Sequence, residues 1–175
     1  MAGSDIKSGH LHSSGFIFKG RARVRALDIV GSANAGVLEI WDTSVAPVAG
    51  TYGRSGTTVT VSKTAHGLST GDLVAISFEP DGGIIATPGS YVITVTDANT
   101  FTLTDINSGT IANDPVCRYA AGIVNGLPPY WLATYHTSAT DIFFNGFQFP
   151  DEGILAKTGI YVFADELESI NIYYS

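Results

Sequence analysis

The stretch "SKTAHGLSTGDLVAISF", Ser62 to Phe78, decides how the chain is read. It sets His66, Ser69 and Asp72 around Gly67 and Gly71, so it is either a compact catalytic loop or the corner between two strands. A Ser-His-Asp site needs an imidazole that reaches the hydroxyl while the carboxylate orients the ring from its other side, and its members come from separate elements of a scaffold. A corner explains more of the residues. The glycines flank "LST" between two alternating runs, Leu68 offers an apolar plug, and Asp72 stands where a carboxylate bonds turn amides. His66 is then expected to bond a nearby backbone carbonyl.

The period of two extends on both sides of this corner. In "TTVTVSK" Val59 and Val61 alternate with Thr58, Thr60 and Ser62; in "LVAISF" Val74, Ile76 and Phe78 share a face; in "SYVITVTD" Tyr91, Ile93 and Val95 do the same. Such runs are half-buried strands, and Asp97 to Thr100, "DANT", turns the last of them tightly into "FTLTD". Four or more strands in so short a window leave edges that a small closed barrel would remove. Residues 51 to 110 hold 13 of the 18 threonines but 4 of the 19 aromatics. The shift in composition, with punctuating residues at "YGRSG" and "NSGTIANDP", predicts an inserted barrel at 53–114 within a discontinuous outer domain at 1–52 and 115–175.

The outer segments also read as strands: "GFIFKGRARVRALDIVG", "GVLEIWD", "PPYWLATYHT", "TDIFFNGFQF", "GIYVFAD" and "SINIYYS". The best helical candidate is a single turn around "ADELES", Ala164 to Ser169. The expected fold is all-β, a jelly-roll-like sandwich carrying a small inserted barrel.

Composition narrows the function. The formal net charge is −7, which argues against general affinity for nucleic acid or an anionic membrane. Four of the nine basic residues, Lys19, Arg21, Arg23 and Arg25, nevertheless form a stripe of spacing two. The acidic C-terminal residues Asp151, Glu152, Asp165, Glu166 and Glu168 make a complementary patch, and pairing of the two is expected within or between subunits. A single cysteine, Cys117, excludes a disulfide framework, and no signal-peptide core or bilayer-length run is present, so a soluble protein made in a cytoplasm is expected.

Three further features are weighed. His10 and His12 could take zinc or nickel with help from Asp5, but in a flexible N-terminal arm, with the rings expected on opposite faces and no third ligand nearby, no metal site is expected. That arm is read instead as polar and docked on a neighbour. Tyr130, Trp131, Tyr135, Phe143, Phe144, Phe147 and Phe149 form an aromatic band; core filling comes first, an oligomer interface next and glycan binding third. Arg21, Arg23, Arg25, Trp131 and Tyr135 are the candidate interface residues. No catalytic residue and no cofactor are expected, and a hydrolase built on His66 or His136 is the least favoured class.

Residues 56–110, by their "AHGLSTGD" corner and their "Y-x-I-x-V-x-D-A-N-T-F-T-L" hairpin, resemble the β-barrel module called the first catalytic cysteine half-domain. That module is named from ubiquitin-activating enzymes and recurs as an insertion in tailed-phage virion proteins. Here it contains no cysteine, and the chain has no adenylation domain or nucleotide loop, so the resemblance implies an interaction ornament and not ubiquitin chemistry. The flanks are similar to compact β-sandwich proteins of tailed phages, notably those of marine cyanobacteria, through a basic first strand, a "G-x-L-x-x-T-G-x-Y-V" segment and a tyrosine-ended last strand. Gly153, Leu155, Thr158, Gly159, Tyr161 and Val162 stand at the matching points. The resemblance implies a virion structural protein on the capsid surface or in the head–tail region. The expected role is capsid decoration or cementing on the major capsid protein, as a homo-oligomer. A neck or tail accessory or a host-glycan binder is the alternative.

Overall fold

The computed structural model describes residues 6–80, 83–112, 114–123, 126–138, 143–150 and 152–175, with the backbone alone for 143–146. Among these residues the chain is all-β. Its strands are β1 (Lys7–Leu11), β2 (Gly15–Lys19), β3 (Ala22–Gly31), β4 (Gly36–Asp42), β5 (Val48–Ser62), β6 (Leu73–Phe78), β7 (Gly89–Val92), β8 (Thr94–Asp97), β9 (Thr100–Ile111), β10 (Val116–Ala121), β11 (Tyr130–Thr137), β12 (Phe143–Gln148), β13 (Ile154–Ala156), β14 (Gly159–Asp165) and β15 (Leu167–Tyr174). Two compact units result, one from residues 1–46 and 132–175 and the other from 47–131.

The first unit is a sandwich. One sheet runs β1-β15-β3-β12, with β13 continuing along the same side of β3, and the other runs β11-β4-β14-β2. Alternation along each strand sends one set of side chains inward. Val24, Leu27, Ile29, Ile170 and Ile172 from one sheet meet Leu38, Ile40, Ile160 and Val162 from the other, all essentially without solvent exposure. If β12 and β13 count as one position, the sheets hold the first, eighth, third and sixth strands and the fifth, fourth, seventh and second.

Two expectations change here. "ADELES" forms no helical turn: β14 ends at Asp165, Glu166 takes a left-handed conformation with φ 53°, and β15 begins at Leu167 in the opposite sheet. The Glu166 carboxylate accepts bonds from Ser32 and Asn34, and its carbonyl accepts the Ser32 amide, so one residue fixes two crossings between the sheets. The N-terminal arm is likewise no free arm from Lys7 onward, because Lys7 to Leu11 pair in register with Tyr174 to Ile170 of the same chain. Leu11 packs against the sandwich core and gives the strand its anchor. Asp5 lies outside the described residues.

The second unit is one six-stranded sheet, β7-β6-β10-β5-β9-β8, and is not closed into a barrel by pairing of its edges. Its edge strands β7 and β8 are consecutive, joined through Ile93 alone, so the sheet curls until its edges meet at a covalent corner and not at a hydrogen-bonded ladder. Ile93 exchanges backbone bonds with the Gly71–Asp72 corner instead. The curl encloses Val59, Val61, Val74, Ile76, Phe101 and Leu103. The unit is also wider than 53–114. β5 runs unbroken from Val48 to Ser62, and β10 lies between β5 and β6, burying Tyr52, Cys117 and Tyr119 in this core.

Candidate functional site

The opening corner is a corner. The His66 Nε2 lies 3.0 Å from the Asp97 carbonyl, to which it donates, while its Nδ1 accepts the Leu68 amide at 3.0 Å. Both ring nitrogens are thus engaged by backbone groups, and neither is left to take a proton from Ser69. Asp72 accepts the Ser69 amide, Asn99 accepts the amide of Ala65, and Ala65 itself is left-handed at φ 51°. These bonds lace the corner to the β8–β9 hairpin, as turn chemistry requires.

The expected interface residues are dispersed. Arg23 pairs with Glu152 at 2.9 Å, so the basic stripe and the acidic patch meet within one chain at this point. The Arg25 Nε donates to the Ser175 hydroxyl at 2.9 Å. Arg21 is exposed just before β3, where it lines a shallow hollow of about 190 Å³ with Ala22, Arg23, Leu155 and Ser175. Tyr135 belongs to the margin of the sandwich core: its ring stands 5.4 Å from Phe147, which is 5.1 Å from Phe149, and burial raises its hydroxyl pKa. Trp131 is half-buried beside the more exposed Tyr130. The side chains of Phe143 and Phe144 lie outside the described set.

The site that residue patterning missed is built around Arg54. Its guanidinium is buried in the inserted unit, where it meets Asp105 at 2.9 Å and donates to the carbonyls of Gly56, Ile84, Ile85 and Asn107. Asp105 in turn accepts the amides of Thr87 and Asn107. Burial works to raise the Asp105 pKa, but the bonds from Thr87 and Asn107 and the charge of Arg54 outweigh it, and the net shift is downward. One ion pair thereby grips the segments 54–56, 84–87 and 105–107.

Those segments present isoleucine to solvent. Asp105 points inward, so its neighbour Ile106 on β9 points out and is 83% exposed, while Ile84 is 63% exposed on the gripped loop and Ile85 36%. A lone exposed apolar residue is ordinary, whereas here three exposed isoleucines sit on segments that one buried guanidinium holds in place. Arg54 had been read as boundary punctuation in "YGRSG", and Asp105 as part of a strand end. The signal available was an arginine and an aspartate in a low-charge window, each beside a glycine-bearing irregularity.

The residues of the "G-x-L-x-x-T-G-x-Y-V" segment have a structural role. Buried Asp42, at the end of β4, accepts the amides of Lys157, Thr158 and Gly159 and the Thr158 hydroxyl at 2.6–3.2 Å. A side chain at Gly159 would meet the Thr43 carbonyl at 2.7 Å, and one at Gly153, where φ is 75°, would collide with the Val24 carbonyl.

His10 and His12 do come together. His10 lies on β1 and His12 just past its end, and the two rings share a side, contrary to the expectation for the arm. Their Nε2 atoms lie 3.0 Å apart. Among the described residues no group of three or more histidine, cysteine, aspartate or glutamate side chains is placed to hold a metal. Comparison with family models, with curated proteins and with solved structures finds no match for this chain.

Proposed function

We propose that the chain is a non-enzymatic structural protein of a tailed-phage virion, a capsid decoration or cement protein that binds across neighbouring subunits of the shell. The observation that carries a docking role is the exposure of Ile84, Ile85 and Ile106 on segments held by the buried Arg54–Asp105 pair. Covering a fully exposed isoleucine contributes about 1.5–3 kcal/mol, and a part-exposed one proportionally less, and this term exists only in the bound state. The strand order of the sandwich, first-eighth-third-sixth beside second-seventh-fourth-fifth, supports reading it as a jelly roll, an architecture that recurs in viral capsid and lectin domains. The inserted unit occupies the connection between the fourth and fifth strands of that roll. The virion assignment itself rests on the resemblance of the corner, the hairpin and the flanks to tailed-phage modules.

Co-sedimentation with phage heads that lack the protein tests this reading. The wild-type chain is expected to bind saturably and to raise the temperature at which heads rupture, and Ile106→Asp is expected to bind at least about tenfold more weakly, the equivalent of about 1.4 kcal/mol. Equal binding by the variant would remove the apolar surface from the mechanism, and no binding to heads would remove the decoration role. A neck or tail accessory is the near rival, shown by binding to tails alone. Glycan binding is favoured only by the exposed Tyr130 beside Trp131, and it requires that Trp131→Ala lose retention on host polysaccharide while staying folded.

A further inference from the structure

His10, on β1, and His12, just beyond its end, are each held at Nδ1 by a residue of β15. The His12 Nδ1 stands 2.8 Å from the Glu168 carbonyl, which can only accept, so this nitrogen carries the proton and Nε2 keeps its lone pair. The His10 Nδ1 stands 2.7 Å from the Asn171 side-chain oxygen. That oxygen, too, can only accept. His10 therefore also carries its proton on Nδ1. Two neutral rings then direct lone pairs at each other across 3.0 Å.

The ring geometry shows what belongs between them. If the nitrogens faced head-on across a shared proton, the ring centres would be about 5.3 Å apart, since each centre lies about 1.15 Å behind its nitrogen. They are 4.5 Å apart, with planes at 87°. Two imidazoles on one cation at about 2.1 Å, meeting at a right angle, place their nitrogens about 3.0 Å and their centres about 4.6 Å apart. A tetrahedral zinc would need the nitrogens about 3.4 Å apart, whereas the right angle suits the tetragonal nitrogen and oxygen coordination of Cu(II) or Ni(II).

We propose that His10 and His12 form a two-nitrogen chelate for a divalent cation of the copper or nickel class, with water completing the coordination. Glu168 and Asn171 act as positioning groups: each takes the Nδ1 proton, fixes the tautomer and aims Nε2 at the metal. Both rings are exposed, so the remaining coordination positions face solvent. The cation would also tie the end of edge strand β1 into the sheet at β15, and the site stands independently of the virion reading.

Titration of the full chain with Cu(II), followed by calorimetry and electron paramagnetic resonance, tests this. One equivalent is expected to bind, with a spectrum that reports two equivalent imidazole nitrogens. His10→Gln and His12→Gln should each weaken binding more than about tenfold, and Asn171→Ala about tenfold. His66→Gln and His136→Gln should leave it unchanged. Binding that survives the His10→Gln, His12→Gln double variant, a one-nitrogen spectrum, or no binding at all would each overturn the site. The wild-type spectrum needs no variant, so a substitution that unfolds the arm does not blunt the test.

Discussion

In the sandwich the buried Asp42 is an anion that collects amides, and in the inserted unit the buried Arg54 is a cation that collects carbonyls. Asp42 is bonded by three backbone N–H groups and one hydroxyl, all from the contiguous turn Lys157–Gly159. Arg54 gathers carbonyls from three separate segments and takes a carboxylate besides. A compact nest of amides can satisfy a carboxylate alone, because charge-assisted bonds of this kind are short and strong. Carbonyls around a guanidinium leave a full charge to be balanced, and Asp105 balances it. The sandwich thus fixes a turn, while the inserted unit ties three segments together.

Breaking the ion pair is the largest perturbation expected. Arg54→Met leaves the Asp105 carboxylate buried without its cation and should cost the inserted unit about 3–5 kcal/mol, read as a lower denaturant midpoint, whereas Arg54→Met with Asp105→Leu should recover much of that loss. If the double variant is no better than the single, the carbonyl bonds and not the charges do the holding. Asp42→Ala comes next, at about 3 kcal/mol, because one buried and two partly buried amides lose their acceptor. Hydrogen exchange should localise this loss to β4, β13 and β14, and protection lost equally in β5 to β10 would contradict the comparison.

Titration sharpens the same contrast. Burial, and then the nearby Cys117, push the Tyr119 hydroxyl up to about 12 from an ordinary value near 10. Its folded pKa is raised, so the stability it contributes is whole below pH 10 and is lost as pH rises toward 12, by about 2–3 kcal/mol in all. Carbon-13 shifts of the tyrosine Cζ should show Tyr119 titrating well above the ordinary tyrosine value. Asp105 has the opposite sense: its folded pKa is lowered, so its contribution is present above the usual carboxylate range and disappears as pH falls through the folded value. The inserted unit should therefore lose melting temperature on acidification, and Arg54→Met with Asp105→Leu should flatten that limb.

Strands were legible because period-two burial is written residue by residue: Val59, Val61, Ile170 and Ile172 are inside, as their alternation requires. The Gly67–Gly71 corner and the Asp97–Thr100 turn were legible because their chemistry is local. What escaped depends on partners distant in sequence. The boundary at residue 52 followed a shift in threonine content, yet apolar Val116–Ala121 pairs with β5 and β6 and draws both flanks into the insert. Glu166 was read as helical because no local rule forces a glutamate to be left-handed; the Ser32 and Asn34 bonds that hold it come from 132 or more residues earlier. The same applies to Arg54, whose carbonyl partners lie up to 53 positions away.

The most direct test of the functional reading is the number of copies in purified virions that contain this chain, measured by quantitative mass spectrometry against the major capsid protein. A decoration role requires on the order of hundreds of copies per particle, in a fixed ratio set by the symmetry of the shell. A chain recovered only free of particles, or present at a few copies regardless of head size, would contradict it.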